Sequence, residues 1–132
     1  MQASIIEPDL FKAAIGIVGV YDFGLMYSAG DIRGWFGGRR YLEKALGKDK
    51  DEFAEFSPLQ RVGELKAPVL LIQGGEDDRA PVVHANKLAK ELKRRGHPHE
   101  YVVMPNEGHG FYKAENRVRE LALIERFLDK YL

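Results

Sequence analysis

Pro68-Val-Leu-Leu-Ile-Gln73 (PVLLIQ) is the stretch on which the fold turns. It is short, apolar and closed by Gly74-Gly75, the pattern of a strand buried on both faces. Working outward, Pro81 to Arg95 has helical spacing. Pro81 suits a first helical turn, and Ala85, Leu88, Ala89 and Leu92 form one inward stripe before Gly96. Glu100 to Met104 (EYVVM) reads as a second strand, and Glu115 to Leu132 as a long amphipathic helix with Val118, Leu121, Leu128 and Tyr131 among its apolar positions. Upstream, Ala13 to Val20 (AAIGIVGV) reads as another two-sided buried strand, with Gly16 and Gly19 marking close approach of a second backbone.

Residues 1–7 read as the end of a helix stopped near Glu7-Pro8, and 21–37 as a loop rich in glycine and aromatics. Helices over Arg39–Leu46 and Asp51–Phe56 follow. Strands alternating with helices predict an α/β fold, a mostly parallel sheet flanked by helices. Ligands of such sheets bind beyond the carboxyl ends of the strands. That rule selects two loops, Gly74 to Ala80 and Pro105 to Lys113.

Composition narrows the function classes. The 132 residues contain 20 Lys and Arg against 20 Asp and Glu, so no excess charge calls for nucleic acid or an anionic membrane. Arg39-Arg40 and Lys93-Arg94-Arg95 read as solvated faces. There is no cysteine, which removes disulfides, thiolate catalysis and cysteine-held zinc. No apolar run approaches the roughly 20 residues of a bilayer span, and no secretory pattern is visible, so a cytoplasmic protein is expected.

Each selected loop carries a conspicuous titratable group. The first reads GGEDDRAP, with Glu76, Asp77, Asp78 and Arg79; the second reads PNEGHGF, with His109 between Gly108 and Gly110. A neutral imidazole with little local cover can take a proton from a hydroxyl, and a buried carboxylate can hold its tautomer. Other readings stand beside this one. Asp77 either serves that chemistry, caps the helix near Pro81 or pairs with Arg79, and Asp78 competes as the acid. Three adjacent carboxylates suit a hard cation poorly, and His97 and His99 lack a third metal ligand, so no metal is expected. Tyr21, Tyr27, Trp35 and Phe36 either line an apolar substrate pocket or pack, and packing is expected for most.

PVLLIQGGEDDRAP resembles the acid segment of prolyl oligopeptidase-family serine hydrolases, in which a strand enters a His-Gly-x-x-Asp loop. PNEGHGFYKAENR is similar to the family's histidine segment, and EPDLFKAAIGIVGVYD to the stretch shortly after its nucleophile elbow. The likeness covers nearly the whole chain and favours acylaminoacyl-peptidase and dipeptidyl-peptidase-like members. It implies that residues 1–132 form the C-terminal half of an α/β-hydrolase catalytic domain. In that reading the nucleophile-bearing half and any β-propeller are absent.

By position, the resemblance implies Asp77 as triad acid, His109 as general base and Arg79 as a substrate contact; by its own chemistry Arg79 equally suits a surface pair with Glu76. Gln73 departs from the family's usual His. The acid precedes the histidine, as in α/β-hydrolases. No serine stands in a Gly-x-Ser-x-Gly turn; Ser4, Ser28 and Ser57 all lie elsewhere, and the turn is expected within about ten residues before Met1.

The implied reaction is therefore serine-type hydrolysis of peptide or acyl-amino-acid bonds without a cofactor, with this chain inactive by itself. An esterase-type hydrolase is the enzymatic alternative. A non-catalytic assembly subunit, pairing with itself or with a complementing chain through an exposed sheet edge, is the alternative from another class.

Overall fold

A computed structural model describes the backbone of residues 1–132 and every side chain except that of Lys50. Three parallel strands lie in the order β1 (Ala14–Ile17), β2 (Val69–Gly74), β3 (His99–Met104). Val69 sits opposite Ala14 on one side and His99 on the other. The α/β reading with a mostly parallel sheet holds, and β2, the PVLLIQ strand, is its centre.

Every residue of β2 is buried. Side chains alternate along a strand, so the two faces of β2 seed two cores. Val69 and Leu71 join Ala85, Leu88, Ala89 and Leu92 of α4 (Val83–Arg94) on one side. Leu70 and Ile72 join Met104, Leu123 and Phe127 on the other, where α5 (Ala114–Tyr131) lies. Burying each of these leucines contributes roughly 1.5–3 kcal/mol. The sheet is thus clamped between α4 and α5, which holds the loops at its carboxyl edge on a rigid base.

The remaining helices are α1 (Gln2–Ile6), α2 (Gly38–Leu46) and α3 (Lys50–Phe56). Two 3-10 turns, Phe23–Tyr27 and Asp31–Gly34, break up the region read as loop. Asp22 opens the first by accepting from the Gly24 amide at 3.0 Å. The basic clusters are on the surface, with Arg94 and Arg95 both bonded to Glu91 at 2.6 and 2.7 Å.

Four expectations need correction. β1 stops at Ile17 because Val18 adopts φ +44, a left-handed conformation that ends the pleat. β1 is also an edge strand, so Ile17 is part-exposed and the strand is not buried on both faces. Gly16 and Gly19 make room for the Tyr21 ring, a side chain, and not for a second backbone. On α5, Val118 and Leu121 face outward, and Leu123 and Phe127 carry the packing.

Candidate functional site

The two selected loops touch. Gly74 ends β2 directly beneath the backbone of the second loop: a Cβ at this position would lie 2.6 Å from the carbonyl oxygen of Glu107 and closer still to that of Gly108. The Glu76 amide donates to the same Glu107 carbonyl at 2.9 Å. Gly108 and Gly110 bridge across His109, and Gly110 takes φ +137, open to glycine alone without strain. His109 therefore stands at the tip of a tight turn laid against the acid loop.

His109 Nδ1 lies 3.0 Å from Asp77 Oδ2. The Asp77 side chain is fully buried, whereas that of His109 is 42% exposed. Asp77 Oδ1 accepts from the backbone amides of Arg79 and Ala80, each at 2.9 Å, and Oδ2 also accepts from Gln73 Nε2 at 3.1 Å. Four donors offset the cost of burying this carboxylate. Because a carboxylate in such a set only accepts, Nδ1 must carry the proton. Nε2 is then left with a lone pair, free of hydrogen bonds among the described residues. A held imidazole with a bare, open nitrogen can accept a proton from a neighbouring hydroxyl.

The structure separates the competing acids. Asp78 is exposed and uses its backbone carbonyl to accept from the Asp31 amide at 2.7 Å. The alternative of an Asp77–Arg79 side-chain pair does not arise, since Asp77 meets only the Arg79 amide. The Arg79 guanidinium lies 3.7 Å from Asp31, so of the two roles left open for it the surface pair forms with Asp31 and not with Glu76. A shallow cavity of about 390 Å³, lined by Gly30, Asp31, Arg33, Asp77, Asp78 and Pro81, adjoins the acid loop.

The aromatics divide. Tyr21 is buried core, and burial pushes its phenol pKa up. Tyr27 stacks on Phe53 at 5.0 Å and lines two cavities of about 600 and 440 Å³. Trp35 and Phe36 are exposed, so packing, expected for most of the set, fails for these two. His97 and His99 bond to the carbonyls of Ala67 and His97, each at 2.8 Å, as structural ties of the β3 approach.

Three roles escaped the sequence reading. Gln73 holds Asp77 and also donates to the carbonyls of Gly74 and Ala80 at 3.3 and 3.0 Å. A polar residue ending an apolar buried strand was the available signal, because buried polar groups need partners. His84, in the first turn of α4, accepts from the amides of Tyr21 and Asp22 at 3.4 Å, and burial depresses its pKa. Glu107 is buried two residues before His109, and nothing in its loop-like context distinguished it.

Comparison with known proteins is consistent along the chain. The profile of the prolyl oligopeptidase family matches residues 1–132. Dipeptidyl aminopeptidase BIII of Pseudoxanthomonas mexicana is 31% identical over 130 residues, which is 95% of this chain and 19% of that protein. A puromycin-hydrolyzing peptidase of Mycobacterium tuberculosis superposes with a TM-score of 0.88 at 30% identity, over 99% of this chain and 20% of that one. Pyrococcus horikoshii acylaminoacyl peptidase gives a TM-score of 0.86 at 26% identity, over 98% and 22%. The chain thus spans about a fifth of the length of these relatives.

Proposed function

The chain belongs to the prolyl oligopeptidase family, and from that premise we propose that it supplies the acid and base of a serine peptidase acting on peptide or acyl-amino-acid bonds. Asp77 is the triad acid and His109 the general base. One observation carries this reading: His109 Nδ1 is held 3.0 Å from a buried carboxylate while its Nε2 side stays open.

In the proposed reaction a serine hydroxyl, contributed by sequence upstream of this chain, attacks the scissile carbonyl and passes its proton to Nε2. Asp77 stabilises the imidazolium. His109 then protonates the leaving amine, which departs and leaves an acyl-serine. Water attacks that ester, giving its proton to Nε2, and the serine recovers a proton as the acid product leaves. No step calls for a metal or organic cofactor. The oxyanion donors are the N–H after the nucleophile and one from an earlier loop, so residues 1–132 alone are inactive.

Arg79 is the proposed substrate contact. Its pair with Asp31 is exposed and long at 3.7 Å, a type of contact worth less than about 1 kcal/mol. Little is lost when the guanidinium turns to a substrate carbonyl or carboxylate.

A second reading has its own support. Ala14 and Val18 donate their amides to β2, so the alternating amides of Ile15 and Ile17 point to the free edge of β1. That edge suits a further parallel strand, from upstream sequence, a complementing chain or a second copy.

The test joins sequence and activity. In-frame DNA before the Met1 codon is read, and the longer product is assayed on acyl-aminoacyl and dipeptidyl anilides and on matching esters. The proposal expects a Gly-x-Ser-x-Gly turn, labelling by a fluorophosphonate, and loss of hydrolysis in His109→Ala. An in-frame stop with no nucleophile would leave the assembly reading. Ester cleavage without amide cleavage would favour the esterase.

A further inference from the structure

Glu107 is a charged side chain buried beside the site, and the reaction above does not use it. Its relative exposure is only 3%. Both carboxylate oxygens are engaged downstream of the histidine: Oε2 accepts from the Tyr112 amide at 2.9 Å, and Oε1 from the Lys113 amide at 3.0 Å and Asn116 Nδ2 at 2.7 Å. These bonds, with Asn116's the strongest influence, hold the carboxyl pKa below its usual value.

The backbone of Glu107 works in the opposite direction along the chain. Its carbonyl accepts from the Glu76 amide at 2.9 Å, and its own amide donates to the Met104 carbonyl at 3.3 Å. One residue thus ties the start of the histidine turn to the acid loop and to the entry of α5. The segment in between contains His109, with its two glycines. The turn has little side chain of its own, its Gly108–Gly110 backbone bridge spans only His109, and glycines cost more backbone entropy to order than other residues. α5 also lacks a side-chain cap at Lys113, so the Glu107 carboxylate answers amides at the approach to its N-terminus.

We infer that Glu107 is a positioning residue. Its carboxylate closes residues 107–116 into a loop that presents His109 to Asp77, so the acid–base pair is assembled within this chain before any nucleophile arrives. The inference rests on the catalytic reading of His109 and deepens it. A brace acting through the backbone predicts that the imidazole loses its defined tautomer when the brace is cut, even where the fold survives.

The experiment is imidazole nitrogen NMR on the full 132-residue chain at neutral pH. In the parent, His109 shows the Nδ1–H, bare-Nε2 tautomer and a downfield Nδ1 proton protected from exchange. Glu107→Ala is expected to abolish the protected proton and mix the tautomers, with the amide spectrum of β2 and α4 unchanged. Leu92→Ala, in the opposite core, is the control for lost stability and is expected to keep the His109 signature.

Should Glu107→Ala fail to fold, Glu107→Gln carries the same readout. It retains the length and one acceptor oxygen and is expected to weaken the signature. An unchanged His109 signature in the folded Glu107 variant would overturn the inference, as would an equal loss in Leu92→Ala. A parent lacking the protected proton would overturn the catalytic reading itself, and the brace with it.

Discussion

Gly74 and Gly108 meet backbone to backbone, at a separation that leaves no room for a Cβ on Gly74. This contact joins the end of the central strand to the turn that carries His109, and it lets the loops after β2 and β3 place their side chains 3.0 Å apart. A methyl group there meets carbonyl oxygens, which cannot swing aside as a side chain would. Gly74→Ala is therefore expected to cost about 1–3 kcal/mol, as overpacking does, and to part Asp77 from His109. Urea denaturation reads the first effect and the His109 Nδ1 proton the second; a variant with parental values for both would refute the contact's role.

Asp77 and Asp78 are adjacent, yet only Asp77 is buried against the imidazole. In a longer, active form of the protein, Asp77→Asn should lower kcat by about 10⁴-fold, the scale seen when a triad acid loses its charge and the histidine its tautomer. Asp78→Asn should leave kcat within a few-fold. Reversed sensitivities would move the acid by one residue.

His84 introduces a pH dependence of stability. Its Nδ1 faces two backbone N–H donors, so the ring must be neutral in the fold, and burial lowers its pKa from the ordinary 6.5. The opposing influences on the ring are Asp22 and Asp77, which favour protonation, and Lys87, which disfavours it. A depressed folded pKa means that the unfolded chain binds the proton first. The stability is complete above about pH 6.5 and is lost as pH falls from there through the folded value. His84→Asn can keep an acceptor and cannot titrate. Its urea midpoint should change less than the parent's between pH 7 and pH 5, and equal slopes would exclude His84 as the source.

Val18 holds a β-branched side chain at φ +44, immediately after β1. Such a conformation costs roughly 1–2 kcal/mol for any residue with a Cβ. Val18→Gly and Val18→Ala both remove the side chain, but only glycine removes the strain. Glycine is normally the weaker residue of the two by about 0.5–1 kcal/mol in a strand. Here Val18→Gly should be at least as stable as Val18→Ala by thermal denaturation, and the ordinary order would show that Val18 is unstrained.

The free edge of β1 carries outward amides at Ile15 and Ile17, and Ile17 is 37% exposed. The isolated chain should self-associate at micromolar to millimolar concentration through this edge. A lysine at an edge position opposes such pairing, so Ile17→Lys should shift sedimentation toward the monomer. An Ile17→Lys variant that associates as the parent does would place self-association elsewhere.

Much of this architecture was written locally. PVLLIQ could be read as a central strand because its apolar run needs cover on both faces, and the Ala85–Leu92 stripe could be read as a helix face because its period is that of a helix. The order of Asp77 before His109, each in a loop after a strand, was legible for the same reason. Alternation of strands and helices sends successive loops to one edge of a parallel sheet.

Relations between distant residues were not legible. Composition could not tell Asp77 from Asp78, nor assign Arg79 to Asp31, because those choices depend on which side of a turn faces the interior. The end of β1 at Val18, the outward Val118 and Leu121, and the buried roles of Gln73, His84 and Glu107 were likewise decided by packing across the sheet. Sequence by itself determined which segments are strands and helices and which loops carry the titratable groups, since periodicity and turn chemistry act over a few residues. Only the tertiary structure decided which of those groups are buried, braced and paired, since burial depends on how separate segments pack, and the pairing of His109 with Asp77 spans 32 residues.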